Sequence, residues 1–296
     1  MGNWNGVISA IITPMKEDGS AIDTGPVKDY CDFIIDKGVS GIFAIGTTGE
    51  GPLLSLEEKK IISKKIVDSV NGRTRVIIQS GCITTEETIQ LTRYSKDIGA
   101  DAAGILLPYY YNLDEEAIFE HFARVAEAVP DFPIFIYNIP QCTCNNLSVK
   151  LFERLINEID TIAGIKTSNP DIFQIIGFVR AAKNKCSVFI GSDGLVLAGL
   201  SSGASGVVSG NASVFPEPLI DLYNAFNRGE KEKCIEYQQL VDKMRMALGD
   251  GYYIDAYKKT LSMLGIEVGK PRKPNRELTK EEFEKLRKSL SELGFL

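Results

Sequence analysis

Residues that build metal centres are scarce in this sequence. The chain of 296 residues contains one histidine and six cysteines. The cysteines are scattered, and although Cys142 and Cys144 stand close together, a zinc site there lacks a second pair of ligands. Cysteines distributed in this way are typical of reduced thiols rather than of a disulfide framework. We therefore expect no bound metal and no fold that depends on disulfides.

Long apolar runs and a strong charge of one sign are also missing. No apolar run is long enough to cross a bilayer, and the N-terminal segment does not have the pattern of a secretion signal. The formal net charge is -6, with no basic stripe of the kind that binds nucleic acid. We expect a cytoplasmic protein whose partners are neither nucleic acids nor membranes.

What the sequence does have is a regular alternation of short apolar runs with helical stretches. The predicted strands are residues 7–12, 41–45, 75–79, 102–107, 134–137, 162–166, 187–191 and 206–209. Their nearly continuous apolar character is typical of parallel strands that are covered on both faces. Eight such units predict an α/β fold, a (β/α)8 TIM barrel, with an open doubly wound sheet as the alternative.

The chain changes character after the eighth predicted strand. From residue 216 onward the pattern is helical only. We therefore expect a barrel domain of residues 1–215 and a C-terminal helical extension, residues 216–296, packed on it.

Several helix starts carry capping signals. Ser55, Thr84 and Thr279 are each followed three residues later by glutamate, as in a capping box. Asn169 followed by Pro170 predicts a further helix start, with proline at the first helical position.

The predicted sixth strand ends on a lysine. Period-two alternation places Lys166, Gly164 and Ile162 on one face, which we expect to point into the barrel. Ala163 and Ile165 would then face the helices. Lys166 would stand at the C-terminal mouth, where barrel enzymes carry out their chemistry. Desolvation there disfavours an ammonium, and a neutral amine can attack a carbonyl carbon to form an imine.

A tyrosine, Tyr137, ends the preceding strand. Ends of adjacent parallel strands lie within side-chain reach, so we expect Tyr137 beside Lys166. A phenol in that position can transfer protons during imine formation and bond cleavage. The structural alternative is that Tyr137 is a packing residue and that Lys166 extends to solvent or pairs with a carboxylate.

The stretch GTTGEG, residues 46–51, follows the second predicted strand. Its glycines allow close approach of the backbone to a ligand, and Thr47 and Thr48 add hydroxyls and amides suited to a small carboxylate. A tight strand-to-helix turn is the alternative. A phosphate loop is excluded because no Lys-Ser or Lys-Thr pair follows.

Four motifs in this order, GTTGE, LLPYYYN, YNIP and GIK, resemble the dihydrodipicolinate synthase / N-acetylneuraminate lyase family of class I pyruvate-dependent aldolases. The resemblance extends over essentially the whole chain, including the helical tail. It implies a lyase that needs no metal or organic cofactor, because a covalent Schiff base through Lys166 carries the chemistry. It also implies a homotetramer arranged as a dimer of dimers.

The resemblance implies roles for individual residues. Lys166 would form the Schiff base with pyruvate or another 2-keto acid, Tyr137 would be the acid/base, and Thr47 would be hydrogen-bonded to it. Tyr110 would complete this proton relay by reaching in from a neighbouring subunit. Thr48, with the adjacent backbone, would bind the pyruvate carboxylate.

The same resemblance places the Val208 carbonyl against the site and bears on the second substrate. Cys142 stands where typical dihydrodipicolinate synthases have an arginine that binds the semialdehyde carboxylate, and a thiol cannot replace a guanidinium fork. Neuraminate lyases have an Asp-Glu pair after the seventh strand, whereas here Asp193 precedes Gly194.

What remains is similar to the 2-keto-3-deoxy sugar-acid aldolases. Their hydroxyl-binding positions correspond to Ser168, Gly191 and Asp193, and a Pro-x-x-Thr pattern corresponds to the segment from Pro140 to Thr143. Short hydroxyl and carboxylate groups of this kind can bind a sugar chain.

We therefore expect reversible cleavage of a 2-keto acid, of the 2-keto-3-deoxygluconate type, to pyruvate and an aldehyde. The alternatives are a 4-hydroxy-tetrahydrodipicolinate synthase, which condenses pyruvate with aspartate semialdehyde, and an N-acetylneuraminate lyase. A non-catalytic barrel that senses a keto acid is the alternative from a different class. His121 and Trp4 are expected to be structural, with Trp4 at the barrel floor.

Overall fold

The computed structural model describes residues 4–183, 185–251 and 253–296. Eight parallel strands form a closed barrel in which each strand pairs with the next and the last pairs with the first. The strands are β1 (Gly6–Ala10), β2 (Gly41–Ala44), β3 (Arg75–Gln79), β4 (Ala102–Leu106), β5 (Ile134–Asn138), β6 (Ile162–Thr167), β7 (Ser187–Ile190) and β8 (Gly206–Ser209). The closed order confirms the (β/α)8 barrel and excludes the open sheet.

Helices cover the outside of the barrel and continue beyond it. They are α1 (Val27–Asp36), α2 (Leu56–Val70), α3 (Thr85–Asp97), α4 (Glu115–Ala128), α5 (Pro140–Thr143), α6 (Val149–Glu158), α7 (Ile172–Ala182), α8 (Val196–Ser201), α9 (Glu217–Asn227), α10 (Lys231–Ala247), α11 (Ile254–Met263) and α12 (Lys280–Glu292). Within the described ranges, none of these helices has the length and apolarity that a membrane span requires.

The helix α9 belongs with the barrel by its contacts. It follows β8 directly and packs against β1 and α8. Its buried face includes Leu219 and Leu222. Because α9 gives the eighth strand its helix, we propose that the C-terminal extension begins after α9 rather than at residue 216.

Apolar side chains form two clusters, one inside the ring of strands and one between the strands and the helices. The interior cluster includes Ile8, Phe43 and Phe189. Trp4 belongs to it, and its ring meets the ring of Phe135 edge-on with centroids 5.1 Å apart. Trp4 therefore fills the lower part of the barrel, as expected, which leaves the C-terminal mouth as the end where barrel enzymes bind their ligands.

The helix starts bear out the capping signals in part. Ser55 and Thr279 form complete capping boxes at α2 and α12. Thr84 caps α3 by accepting a hydrogen bond from the Glu87 amide. These three residues therefore begin helices where the sequence predicts.

The predicted helix start at Asn169 is wrong. The cap is Asp171, whose carboxylate accepts hydrogen bonds from the amides of Phe173 and Gln174. Pro170 thus lies in the loop before α7. The Asn169 Oδ1 instead accepts a hydrogen bond from the Asp171 amide, so Asn169 supports the turn before the helix rather than its first turn.

Candidate active site

Lys166 reaches the barrel mouth through an irregular strand. The pairing register between β5 and β6 shifts near the start of β6. As a result Ile162 lies in the outer cluster and Ala163 in the interior cluster, so the alternation predicted for these two residues is wrong. Beyond the shift, Gly164 pairs with Phe135, and a Cβ on Gly164 would lie 2.7 Å from the Phe135 ring. Two residues further on, on the same face of β6, Lys166 points into the barrel.

The amine of Lys166 is enclosed by aromatic rings. The residue is 5% exposed, and its Nζ lies 4.1 Å from the centroid of the Tyr137 ring and 4.4 Å from that of Phe43. It makes no salt bridge within the described part of the chain. Both structural alternatives for Lys166, extension into solvent and pairing with a carboxylate, are therefore absent from the described geometry.

Tyr137 lies directly opposite Lys166 in the pairing of β5 with β6. Its hydroxyl is 3.2 Å from the Thr47 Oγ1, and either oxygen can donate in this hydrogen bond. Tyr137 is 2% exposed, whereas Thr47 is exposed at the mouth. The pair forms a hydrogen-bonded path from solvent to a group beside the lysine.

The loop of residues 46–51 turns tightly after β2. The Gly51 amide donates to the Gly46 carbonyl, and a Cβ on Gly51 would lie only 1.9 Å from the Ile45 carbonyl oxygen. The amides of Thr47 and Thr48 donate no hydrogen bond to any part of the chain that is described. Such unpaired amides beside a lysine suit a carboxylate ligand, although the structure also shows the tight turn that was the alternative.

The other side of the mouth is formed by β8 and the turn that follows. A Cβ on Gly210 would lie 2.8 Å from the Thr48 Oγ1, so Thr48 and the end of β8 are in close contact. Val208 belongs to the interior cluster. Thr48, which was predicted to bind the carboxylate, and Val208 therefore lie near the same edge of the barrel.

Two of the predicted sugar-binding positions adjoin the lysine. A Cβ on Gly191 would lie 3.2 Å from Lys166 Cε and 2.2 Å from Ser168 Oγ. Only glycine fits between these two side chains. Ser168 is 7% exposed, which leaves it little contact with solvent.

Asp193 is largely occupied by the protein. Its Oδ2 accepts hydrogen bonds from Ser209 Oγ at 2.6 Å and from Asn211 Nδ2. Asn211 in turn accepts from the Tyr257 hydroxyl at 2.9 Å. Burial raises the pKa of Asp193, against the opposing effects of these hydrogen bonds and of Lys166. The second oxygen, Oδ1, is buried and has no hydrogen-bond partner among the residues described.

The two predicted residues on α5 differ in their surroundings. Cys142 is exposed, and partial burial raises the pKa of its thiol. Thr143 is fully buried, and its hydroxyl lies within hydrogen-bonding distance of the Ile139 and Asn145 carbonyls. The Thr143 hydroxyl is thus used by the local backbone, which argues against contact with a substrate.

Tyr110 lies apart from the lysine and projects from the β4–α4 loop. It is 79% exposed and has a positive φ of 82°. Asn145, which the sequence does not single out, supports this loop by donating from Nδ2 to the Pro108 and Tyr111 carbonyls. The loop conformation is therefore held in place although the Tyr110 ring itself is uncovered in the single chain.

Phe43 is a further residue that the sequence analysis missed. It lies on β2, shortly before the GTTGEG loop. Its ring contacts the Tyr137 ring edge-on, with centroids 5.7 Å apart. The inward position of every second residue in β2 is the signal that could have found it. No group of three or more potential metal ligands occurs within the described ranges.

The mouth of the closed barrel thus contains an enclosed lysine, a phenol beside it and a loop with two unpaired amides. The model of the dihydrodipicolinate synthetase family matches residues 3–293. This chain belongs to that family, and it is therefore a carbon–carbon lyase of the pyruvate-dependent, class I type.

Individual relatives match over nearly their full length. A 4-hydroxy-tetrahydrodipicolinate synthase from Methanocaldococcus jannaschii is 36% identical over 293 residues, covering 99% of this chain and 100% of the relative. An uncharacterized DapA-like lyase from Halobacterium salinarum is 36% identical over 292 residues, covering 99% and 95%. Among solved structures, the prophage protein YagE from E. coli K12 in complex with pyruvate superposes with a TM-score of 0.94 at 26% identity, covering all of both chains.

Proposed function

We propose that Lys166 forms a Schiff base with pyruvate and that Tyr137 moves the protons of the reaction. The observation that carries this proposal is the position of the Lys166 amine, 4.1 Å from the Tyr137 ring and without a carboxylate partner among the described residues. The amine adds to the ketone carbon, and loss of water gives the imine. Deprotonation of the methyl group then gives an enamine, which attacks the acceptor carbonyl in condensation. In cleavage, the electrons of the broken carbon–carbon bond pass into the protonated imine and give the same enamine, which is then protonated.

The carboxylate of pyruvate is proposed to bind the loop of residues 46–51. The unpaired amides of Thr47 and Thr48 and the Thr48 hydroxyl are the donors. Thr47 also contacts the Tyr137 hydroxyl, so substrate binding and proton transfer share one residue. The Val208 carbonyl is proposed to line the opposite side.

For the acceptor, the names of the relatives favour aspartate semialdehyde. One relative that is 36% identical over 99% of this chain, and others that are 33% and 34% identical, are named 4-hydroxy-tetrahydrodipicolinate synthase. The first candidate is therefore condensation of pyruvate with this semialdehyde.

One observation favours a second candidate, cleavage of a 2-keto-3-deoxy sugar acid. Cys142 is exposed and carries a thiol at the position where the resemblance calls for a guanidinium. Gly191 and Ser168 adjoin Lys166, and Asp193 has one unpaired oxygen. These groups can bind hydroxyls, while α5 offers no cation to a second carboxylate.

A steady-state assay separates the two candidates. Purified enzyme is given pyruvate with aspartate semialdehyde in one series and 2-keto-3-deoxygluconate in another, with Lys166→Met as the inactive control and Lys150→Met, at an exposed lysine, as the matched control. The first candidate predicts turnover only in the first series, and the second only in the second. If the wild type turns over neither substrate and does not release pyruvate from other 2-keto acids, the proposed function fails.

Cys142→Arg tests the same assignment from the opposite direction. If the thiol excludes the semialdehyde, the added guanidinium is expected to raise kcat/KM for aspartate semialdehyde about tenfold or more, because a charged hydrogen bond contributes about 1.5–3 kcal/mol. Cys144→Arg, on the neighbouring exposed thiol, is the control. An equal response of both variants would remove Cys142 from the specificity argument.

A further inference from the structure

A buried ion pair connects the GTTGEG loop to the C-terminal extension. Lys258 on α11 and Glu50 in the loop are 3.0 Å apart between Nζ and Oε2, and each side chain is 1% exposed. Two charges this deeply buried are costly to maintain unless each compensates the other. Neither charge takes part in the proposed imine chemistry, so the buried pair must contribute in another way.

On the loop side, Glu50 belongs to the same six residues as the carboxylate-binding donors. Its backbone is in the left-handed region with φ of 56°, and its amide donates to the Thr47 carbonyl. The Thr13 hydroxyl donates to the neighbouring Gly49 carbonyl at 2.6 Å. A non-glycine residue is kept in this conformation by its surroundings. For Glu50, the side chain connects the loop to the C-terminal extension.

On the extension side, several groups converge on the same carboxylate. Lys258 Nζ donates to the carbonyls of Thr13 and Lys270 and lies 3.0 Å from Glu50 Oε2, so two backbone acceptors and one carboxylate surround the ammonium. The backbone amide of Arg272 and the side-chain amide of Asn275 donate to Glu50 Oε1 at 2.7 and 3.1 Å. The extension thus surrounds a carboxylate that belongs to the substrate loop.

The charges around the pair make the burial of Glu50 dependent on Lys258. Burial lowers the pKa of Lys258, and the Glu50 carboxylate is the principal opposing influence. The Arg272 guanidinium is engaged by Glu58 of α2 at 2.7 Å and does not replace Lys258. Without Lys258, the Glu50 carboxylate would lose its nearest cation and would be expected to move toward water, carrying the loop backbone with it.

We propose that Glu50 and Lys258 are positioning residues through which the helical extension holds the Thr47 and Thr48 amides in the conformation that binds the pyruvate carboxylate. This inference rests on the proposed function, in which pyruvate reacts with Lys166. It assigns the extension a part in substrate binding beyond covering the barrel.

The test is borohydride trapping of the pyruvate imine, followed by mass spectrometry of the whole protein across a range of pyruvate concentrations. Lys258→Met is expected to raise the concentration for half-maximal trapping about tenfold, because a loosened loop binds the carboxylate in only a fraction of molecules. Trapping at saturating pyruvate should still approach that of the wild type. The double variant E50Q/K258M, which removes both charges, should recover part of the loss.

Two controls separate positioning from general loss of stability. Lys259→Met removes a charge from the next residue of α11 and should leave the half-saturation concentration unchanged. Leu155→Ala removes buried packing on α6, far from the loop, and should lower the Tm without changing half-saturation. If Lys258→Met does not fold, Glu50→Asp, which retracts the carboxylate from Lys258, should give a smaller rise.

The outcomes are distinct. Trapping in the wild type with the same half-saturation in Lys258→Met or Glu50→Asp overturns the positioning role alone. A rise in Leu155→Ala equal to that in Lys258→Met also overturns it, because it would then reflect stability. Absence of trapping in the wild type overturns the proposed function, and the positioning role with it.

Discussion

Lys166 and its immediate neighbours form the proposed reactive centre of the barrel. Its Nζ is packed against the rings of Phe43 and Tyr137 and is nearly closed to water. Gly191 allows Ser168 and Lys166 to pack closely against its backbone, because an added Cβ would lie 2.2 Å from Ser168 Oγ and 3.2 Å from Lys166 Cε. The direction of the Lys166 side chain is thus fixed by packing, and we propose that its amine is the group that reacts with a keto acid.

Replacement of Tyr137 by phenylalanine tests the proton-transfer role. The ring packing should be preserved and the hydroxyl bonded to Thr47 lost, so kcat is expected to fall about 10² to 10⁴ fold. Steady-state kinetics and thermal unfolding measure the effect, with Tyr94→Phe as the control. A fall of less than tenfold would show that another group moves the protons.

His121 gives the fold a measurable sensitivity to acid. It is buried beside Thr85, whose hydroxyl is 2.9 Å from Nδ1, and burial lowers its pKa to about 4 despite Glu86, which acts in the opposite direction. The unfolded state therefore binds a proton that the folded state does not between about pH 6.5 and pH 4. Stability should decline as the pH falls through this window, by up to about 3 kcal/mol.

The measurement is denaturant unfolding of the wild type and His121→Gln between pH 7 and pH 4.5. The variant should lose the part of the pH dependence that belongs to His121, so the two stabilities should converge as the pH falls. Parallel curves for the two proteins would contradict the assignment.

At the scale of strands and helices, the sequence predicted most elements because each has a local signal. Apolar runs marked all eight strands to within two residues, and the caps at Ser55 and Thr279 were visible as spaced residue pairs. The predictions failed where contacts with another element determine the local structure. The register shift before Gly164 depends on the partner strand β5, which no period within β6 records.

The start of α7 provides a prediction at the same scale. Asp171→Ala should lower the free energy of unfolding by about 1 kcal/mol, because two amides of the first turn lose their acceptor. Asn169→Ala, at the wrongly predicted cap, should have a smaller effect on the same denaturant curve. The reverse order would restore the sequence-based assignment.

At the scale of the whole molecule, the site draws on segments far apart in the chain. The loop of residues 46–51 is held by Lys258, more than 200 positions away, and Asp193 is linked through Asn211 to Tyr257. The sequence placed Lys166, Tyr137 and Thr47 together because all three lie at strand ends. It could not place Lys258, since nothing local marks the partner of a buried charge.

Assembly is the other property of this scale. Tyr110 is exposed on a loop that Asn145 fixes, and we propose that it completes the site of a second copy. In a mixture of Lys166→Met and Tyr110→Phe chains, refolded together, hybrid dimers would hold one intact site. Activity should recover to about a quarter of the wild-type value, because half of the dimers are hybrids with one working site of two.

Each variant alone and a mixture prepared without refolding are the controls for this experiment. Recovery only after subunit exchange supports a shared site. Activity that stays at the mean of the two separate variants would show that Tyr110 acts within its own chain or not at all.

The proposed function depends on an imine forming at one lysine among many. After incubation with pyruvate and borohydride, proteolysis and peptide mass spectrometry locate the added three-carbon group. The predicted result is a single modified residue, Lys166, and no modification in Lys166→Met. Modification at another lysine, or none in the wild type at saturating pyruvate, would contradict the central claim.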